Sequence, residues 1–324
     1  MHAILEKLIQ KIPKEYILGP TFCIFVYVTS VEGFDIEIGF PVSKEFNIAE
    51  IKSRNLKPIE VLSLIHKGLS DTRKDSYKKL YSFTEKHGII SDEFGREIFQ
   101  DNNNPEGNEI ELQFIIHDWN GLFEKGIDQI LGKEKKQIVI KDSEQITLDS
   151  PLENKFQRVK CAMERLDEIT DEEQKYQIIS GCSHIFPKTL INSIKEVYNE
   201  SRIKTEDPLK AIDEVLEFME KDHAWIKVPI RENNILYATK NPRDPKGVKE
   251  ATTEAEKRTA YCFCPVIREM LDKGMPVHYC YCGAGWYRQQ WEGVFEKPVN
   301  IEIVKSVLRG DEICQFAIHI PKDL

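Results

Sequence analysis

The sequence predicts an α+β protein with two domains. The first is an antiparallel-sheet domain of strand-helix-strand-strand half-repeats, and the second is a helix-rich domain that ends in a β-hairpin. At 324 residues the chain is longer than the ~100 to 150 residues typical of one domain. Period-two apolar patterns dominate up to Trp119, and helical spacing dominates from Leu152. We therefore place the domains at residues 1–119 and 154–324, with a connector at 120–153.

The overall charge limits the partners. The formal net charge is −9, with 41% hydrophobic and 31% charged residues. Binding to nucleic-acid phosphates depends on Lys and Arg, so this acidic balance argues against a broad nucleic-acid surface. A cationic ligand in an acidic or aromatic pocket remains compatible with it.

The amino-terminal segment predicts neither a membrane span nor a secretion signal. Its longest apolar run, TFCIFVYVTSV, is shorter than the ~20 residues that cross a bilayer. The first residues carry charges throughout and lack a signal-peptide core. We therefore expect a cytoplasmic protein whose eight cysteines stay reduced.

Apolar spacing predicts the amino-terminal elements. A helix over residues 2–12 ends at Pro13, and two strands at 22–29 and 34–42 form a hairpin around Gly33. The remaining elements are strands at 48–55 and 58–66, a helix capped by Ser70 or Asp71, and strands in REIFQDN and NEIELQFIIHD. On the helix, Tyr77 and Tyr81 belong to one apolar stripe. That stripe either packs on a sheet or places a tyrosine at a ligand.

This series resembles the GyrI-like small-molecule-binding domain, which is also the effector domain of AraC- and MerR-type multidrug regulators. The resemblance rests on four segments: DIEIGFPV at 35–42, IEVLSLIHKGLSDTRKDSYKKLYSF at 59–83, EFGREIFQDN at 93–102 and IELQFII at 110–116. The chain departs from the family by lacking the opening strand of the first half-repeat. It also has Phe99 where the family often has a tyrosine.

The resemblance implies a ligand site in the amino-terminal half. An acid on the family's final strand faces the groove between the half-repeats, and the matching residue is Glu111. The alternative is a solvated acid on an edge strand. We take Glu111 as the main ligand-binding candidate, because a buried carboxylate needs a donor or a cation. The other candidates are Tyr77, Tyr81, Phe99 and Phe40.

Helical spacing dominates the rest of the chain. The predicted helices are 119–131, 154–169, 171–180, 187–200, 208–221, 252–260 and 285–296. A hairpin-like passage, VPIRENNILYATKNPRDP, separates the fifth and sixth of them. Strands at 299–308 and 313–320 end the chain, and their alternation makes Cys314 a core residue and exposes His319.

Two Cys-x-Cys motifs are the unusual feature of the second half. They lie in TAYCFCPV at 259–266 and HYCYCGAGW at 278–286. On extended strands, each motif would aim both sulfurs at one spot. Cys262, Cys264, Cys280 and Cys282 could then hold zinc, although structural zinc sites usually use Cys-x₂-Cys. Reduced core cysteines and a reactive thiol are the alternatives. Cys182 and His184 could join such a site.

The carboxyl-terminal segment from Gly285 to Pro321 resembles the 4-vinyl reductase and L-2-amino-thiazoline-4-carboxylate hydrolase-like domains. That resemblance implies small-molecule binding and, in some members, hydrolysis. We expect a stand-alone effector-type sensor that binds a hydrophobic or cationic small molecule and lacks a DNA-binding domain. The alternative is a hydrolase using Glu111, or a cysteine with His184 or His278 as its base. The sequence leaves the oligomeric state open.

Overall fold

A computed structural model describes residues 2–26, 36–48, 51–99, 109–141, 146–147, 149–222, 225 and 227–324. These residues form two compact units. One holds the described residues up to Lys86 together with Ser91–His117, and the other holds His87–Ile90 and Asp118–Leu324. The fold is α+β, with an antiparallel sheet near the amino terminus and a helix-rich carboxyl-terminal part that ends in a β-hairpin, as predicted.

The elements of the first unit follow apolar alternation. They are α1 (His2–Lys11), β1 (Thr21–Val26), β2 (Ile36–Gly39), β3 (Asn47–Ile48), β4 (Ile51–Lys52), β5 (Val61–Lys67), α2 (Arg73–His87), β6 (Ser91–Phe99) and β7 (Glu109–Ile116). The main sheet has the order β2-β1-β6-β7-β5, and all its neighbouring strands are antiparallel. The predicted pairing of β1 with β2 is confirmed. Residues 27–35, which complete that prediction, lie outside the described part of the chain.

The predicted strand at 48–55 is wrong. β3 and β4 are two-residue strands that pair with each other, Asn47 opposite Lys52. The Ser53 hydroxyl accepts a hydrogen bond from the Phe46 amide (2.7 Å) and donates to the Phe46 carbonyl (3.0 Å). These bonds close the chain on itself, so the segment does not extend along the sheet.

The core of the first unit lies on one face of the sheet. Phe99, Ile110 and Leu112 are almost fully buried there, and Leu80 of α2 packs with them. Side chains alternate along a strand, so the residues between these positions point to the opposite face. The unit therefore has a sealed face under α2 and a second face of different character.

The second unit contains the remaining helices and a second sheet. Its elements are α3 (Trp119–Leu131), α4 (Lys133–Val139), α5 (Leu152–Ile169), α6 (Glu172–Ser180), α7 (Lys188–Lys204), α8 (Pro208–Lys221), β8 (Ile230–Glu232), β9 (Ile235–Thr239), α9 (Pro245–Glu250), α10 (Glu254–Tyr261), α11 (Tyr281–Phe295), β10 (Asn300–Lys305) and β11 (Gln315–His319). The sheet has the order β10-β11-β9-β8. Side-chain caps begin several helices, including a capping box at Asp171.

The central helix of the second unit is α11. A Cβ atom at Gly285 would lie 2.0 Å from the carbonyl oxygen of Ser180, at the end of α6. Glycine is thus required for this close approach. Trp291, on the same helix, is completely buried. Tyr287, Trp291 and Phe295, spaced four residues apart on this helix, pack in the core of the second unit.

The predicted connector at 120–153 contains two helices, α3 and α4. Their side chains Phe123, Ile127 and Val139 are buried in the core of the second unit. Within the described residues, no helix is long and apolar enough to cross a membrane.

Candidate functional site

Glu111 lies on an interior strand of the amino-terminal sheet. β7 pairs with β6 on one side and with β5 on the other, so the alternative of an acid on an edge strand is wrong. Glu111 stands opposite Ile98 of β6 and Ile65 of β5. Its neighbours along β7, Ile110 and Leu112, are buried on the α2 face. Glu111 therefore points away from α2, to what we call the Glu111 face.

Cross-strand register defines the members of this face. Residues directly opposite each other share a face. They are Glu37 and Gly39 of β2, Phe22 and Ile24 of β1, Arg96 and Ile98 of β6, Glu111 and Gln113 of β7, and Ser63 and Ile65 of β5. Several of these side chains are partly exposed, and Ile65 is 42% exposed. The Glu111 face is thus mixed in polarity and only partly covered.

Three polar side chains lie together at its centre. The Gln113 amide nitrogen donates to a Glu111 carboxylate oxygen at 2.9 Å. Arg96 lies directly opposite Gln113. Burial and the nearby Arg54 guanidinium lower the pKa of Arg96, whereas the Glu111 carboxylate raises it. Glu111 therefore has both a donor and a cation beside it, which is what a carboxylate inside a protein needs.

Two atoms of this group are buried and have no hydrogen-bond partner among the described residues. They are the Arg96 Nε and the Gln113 Oε1, and the Gln113 residue is only 7% exposed. A buried polar atom left without a partner costs about 1 to 3 kcal/mol. Such atoms usually mark a function or an absent partner molecule. Together they offer one donor and one acceptor next to a carboxylate.

The structure does not gather the five predicted ligand-binding residues. Tyr77 and Phe99 belong to the core under α2, on the face opposite to Glu111. Tyr81 is 47% exposed on α2, and Phe40 directly follows the edge strand β2. The neighbours of Glu111 are therefore Gln113, Ile98 and Ile65, with Arg96 opposite Gln113, rather than the tyrosines.

Sequence reasoning missed a second acid, Glu97, under α2. The Arg73 guanidinium contacts both Glu97 carboxylate oxygens, at 2.9 and 3.2 Å, and the Tyr77 hydroxyl donates to one of them at 2.8 Å. Burial, and then Glu97, raise the pKa of Tyr77, so its hydroxyl stays a donor. The two acids on β6 and β7 thus face opposite sides of one sheet. The alternation of side chains along β6 could have shown this, because Glu97 shares a face with Phe99, whereas Arg96 shares the other face with Ile98.

The Cys-x-Cys motifs are not on strands, so that prediction is wrong. Cys262 follows the end of α10, and Cys264 lies in the loop after it. Cys280 ends a short 3₁₀ helix, and Cys282 lies in the first turn of α11. Prolines shape both segments, since Pro265 directly follows the first motif and Pro276 precedes the 3₁₀ helix.

The cysteines nevertheless cluster in the second unit, and Cys314 joins them. The Cys264 sulfur lies 2.9 Å from the Tyr279 hydroxyl, and the Cys280 sulfur lies 3.3 Å from the Ser306 hydroxyl. Cys282 donates to the Cys182 carbonyl at 3.3 Å. All of these cysteines are free thiols. We call the following five residues the thiol cluster: Cys262, Cys264, Cys280, Cys282 and Cys314.

Burial keeps this cluster protonated. It raises the pKa of Cys262 to about 12, with Cys264 adding to the effect. It raises the pKa of Cys282 to about 12 as well, again with Cys264 adding. The pKa of Cys280 is raised well above its usual value by burial and then by Cys314. Because the thiolate is the nucleophile, these shifts disfavour the hydrolase alternative.

The predicted base His278 lies beside an acid. Its Nδ1 is 3.4 Å from an Asp167 carboxylate oxygen. Burial lowers the pKa of His278, although Asp167 raises it. The hydrogen bonds of Cys264, Cys280 and Cys282 given above go to oxygen atoms of Tyr279, Ser306 and Cys182. His184, the other predicted base, lies in the loop between α6 and α7.

A cleft of about 440 Å³ lies elsewhere in the second unit, between α3, α4 and α5. That volume falls within the ~300 to 1,000 Å³ usual for small-ligand sites. Trp119 and Phe123 line it together with cationic side chains. Two of these cations are already engaged, because Arg158 faces Glu124 at 4.0 Å and Arg165 donates to the Val139 carbonyl at 3.3 Å. The Glu111 face differs in that a carboxylate, an amide and a guanidinium lie together on it.

Comparison with known proteins gives one match. Residues 217–324 match the model of a family of unknown function, DUF6144. No curated protein matches the chain. The matched segment contains every residue of the thiol cluster, and the Glu111 face lies outside it.

Proposed function

We propose that the chain is a cytoplasmic small-molecule-binding protein whose binding surface is the Glu111 face. The observation that carries this proposal is the pair of buried, unpartnered atoms, Arg96 Nε and Gln113 Oε1, beside the Glu111 carboxylate. A ligand that satisfies both atoms would recover the free energy that unpartnered buried atoms cost. The sequence resemblance to GyrI-like domains supports the same assignment.

The polar groups define the class of ligand. Arg96 Nε needs an acceptor, whereas Gln113 Oε1 needs a donor. Among the described residues, the acids of the face are Glu37, Glu109 and Glu111, and the cations beside them are Arg54, Lys67 and Arg96, so the face has no excess of negative charge. We therefore assign a neutral ligand with an amide-like group, which donates and accepts side by side, rather than a simple cation.

The apolar part of the face fits an aromatic or aliphatic body on that ligand. Phe22 and Ile98 pair directly next to Glu111 across the strands, and Ile65 is largely uncovered on the other side. The Arg96 guanidinium lies 5.9 Å from the Phe22 ring centroid. An aromatic amide could contact the ring side chain while its amide meets Arg96 and Gln113.

The test is a thermal-shift measurement on the full chain with salicylamide as the amide probe and tetraphenylphosphonium as the hydrophobic cation. The proposal predicts that salicylamide raises the melting temperature of the wild type and has no effect on Glu111→Gln. Glu109→Gln is the matched control, because Glu109 lies on the same strand and pairs with Lys67 in an exposed position (3.2 Å). That variant should respond like the wild type.

Two results would count against the proposal. An unchanged melting temperature of the wild type with both probes contradicts a small-molecule site of this kind. An equal response in wild type and Glu111→Gln places the ligand elsewhere, with the cleft between α3 and α5 as the next candidate. A response to tetraphenylphosphonium alone keeps the site but contradicts the amide class.

A further inference from the structure

Lys240 connects the segments that carry the thiol cluster. Its amide donates to the Cys314 carbonyl at 3.0 Å, just after β9. Its ammonium lies 4.6 Å from the ring centroid of Phe263, the residue between Cys262 and Cys264. The same ammonium would lie 3.9 Å from a Cβ atom at Gly283, the residue after Cys282. One cation is thus placed beside both Cys-x-Cys motifs and Cys314.

Among the described residues, no carboxylate forms an ion pair with the partly buried Lys240. Its ammonium lies over the Phe263 ring instead. A charge held in a protein interior without a counter-charge is unfavourable. The groups around Lys240 that can become negative are the thiols, and they are neutral as long as they stay protonated. A cysteine that lost its proton would therefore give the Lys240 ammonium the negative partner that it lacks among the described residues.

We propose that the thiol cluster binds a soft monovalent metal ion, Cu⁺ in cellular terms, through the Cys264 and Cys282 thiolates, one from each Cys-x-Cys motif. Thiolates are the ligands that select such metals. The sulfurs can be reached, because Cys264, Cys280, Cys282 and Cys314 are only partly buried. Their hydrogen bonds are to neutral oxygen atoms, which can release them.

The spacing of the sulfurs favours such an ion over zinc. Tetrahedral zinc with Zn–S bonds of about 2.3 Å places every pair of sulfurs roughly 3.8 Å apart. Among the described residues, no three of the cysteine sulfurs lie within 4.8 Å of one another. A soft monovalent ion needs fewer thiolates at once. The four-cysteine zinc site expected from the sequence is therefore not preformed here.

The charges also balance for a monovalent ion. Each thiol that becomes a ligand releases its proton to solvent. Two thiolates around Cu⁺ carry one net negative charge, which the Lys240 ammonium cancels. Four thiolates around Zn²⁺ would carry two, and Lys240 would offset only half of that. In a poorly solvated site, an uncompensated charge is strongly unfavourable.

The test is a competition titration of the full, reduced chain under anaerobic conditions. Cu⁺ is supplied as its acetonitrile complex, with bicinchoninate as the coloured competitor, and Zn²⁺ is titrated in parallel. The wild type should retain Cu⁺, and the double variant Cys264→Ser/Cys282→Ser should release it. Lys240→Gln keeps every thiol and should weaken retention by about 10- to 100-fold. Cys161→Ser, at an exposed cysteine outside the cluster, should match the wild type.

The outcomes separate clearly. Release of all Cu⁺ by the wild type, or full retention by the folded double variant, overturns the proposal. Retention of Zn²⁺ but not of Cu⁺ overturns it too. Circular dichroism establishes whether the double variant is folded, and Lys240→Gln decides the question if it is not: unchanged retention in that variant contradicts the role of the ammonium.

Discussion

The amino-terminal sheet and the thiol cluster hold ionisable side chains inside a protein in opposite ways. Under α2, the Glu97 carboxylate is paired with the Arg73 guanidinium and accepts a hydrogen bond from Tyr77. In the second unit, burial raises the pKa of the cysteines, so they stay neutral. Pairing and neutralisation both satisfy the interior. Arg96 with Gln113, and Lys240, are groups of the described residues for which neither is complete, and we propose a partner molecule at each.

The largest effect should come from breaking the pair under α2. Glu97→Ala leaves Arg73 without its counter-charge, although the two side chains are only 12% and 21% exposed. Removing one partner of a buried ion pair typically costs about 3 to 5 kcal/mol. Hydrogen exchange of the β6 and β7 amides measures this as a loss of protection. Tyr77→Phe, which removes one hydrogen bond to a charged group, should cost about 1.5 to 3 kcal/mol.

Glu109→Ala is the control for this prediction. Its pair with Lys67 is exposed on the same sheet, so the cost should stay below about 1 kcal/mol. A loss of protection in Glu97→Ala no larger than in Glu109→Ala would show that the pair under α2 is not stabilised as described. That result would contradict the view that charged groups in the amino-terminal sheet are stabilised by pairing.

The next prediction concerns the reactivity of the neutral thiols in the second unit. A pKa raised from 9.0 to about 12 lowers the thiolate fraction at neutral pH by about a thousandfold. The greater nucleophilicity of a more basic thiolate recovers part of this, which leaves roughly a 30- to 60-fold slower reaction. Iodoacetamide should therefore modify Cys262 and Cys282 at least that much more slowly than the exposed Cys161, as followed by peptide mass spectrometry.

The same reaction in urea provides the reference. Unfolding removes the burial that raises the pKa of these thiols, so all cysteines should then react at similar rates. Equal rates in the native chain would mean that Cys262 and Cys282 are ionised and accessible. That result would restore the reactive-thiol alternative.

The helices were the most predictable part of the fold. α3 and α8 begin and end where the sequence indicates, and both start after an aspartate that caps the first turn. Caps and apolar spacing are local signals, and local signals can be read from a sequence. The short pair β3 and β4 was missed because its closing contact, between Ser53 and Phe46, depends on a side-chain hydrogen bond.

The candidate sites were harder to predict because they depend on register. Glu97 and Glu111 are both acids in apolar strands, and only the pairing of β6 with β7 shows that they face opposite sides. The Cys-x-Cys spacing fits a strand, a loop or a helical turn equally well. The prediction that both motifs lie on strands was wrong for this reason. Lys240 and Cys314 are far from those motifs in sequence, and no local pattern could join them to the cluster.

One measurement tests the central proposal most directly: the nuclear magnetic resonance signal of the Arg96 Nε–H group during titration with salicylamide. Arg73 is the internal reference, because its Nε is also buried without a partner among the described residues, but its side chain pairs with Glu97 on the opposite face of the sheet. The account predicts that the Arg96 signal shifts and the Arg73 signal does not. A titration that shifts the Arg73 signal, or leaves both signals in place while the chain binds the probe, would contradict it.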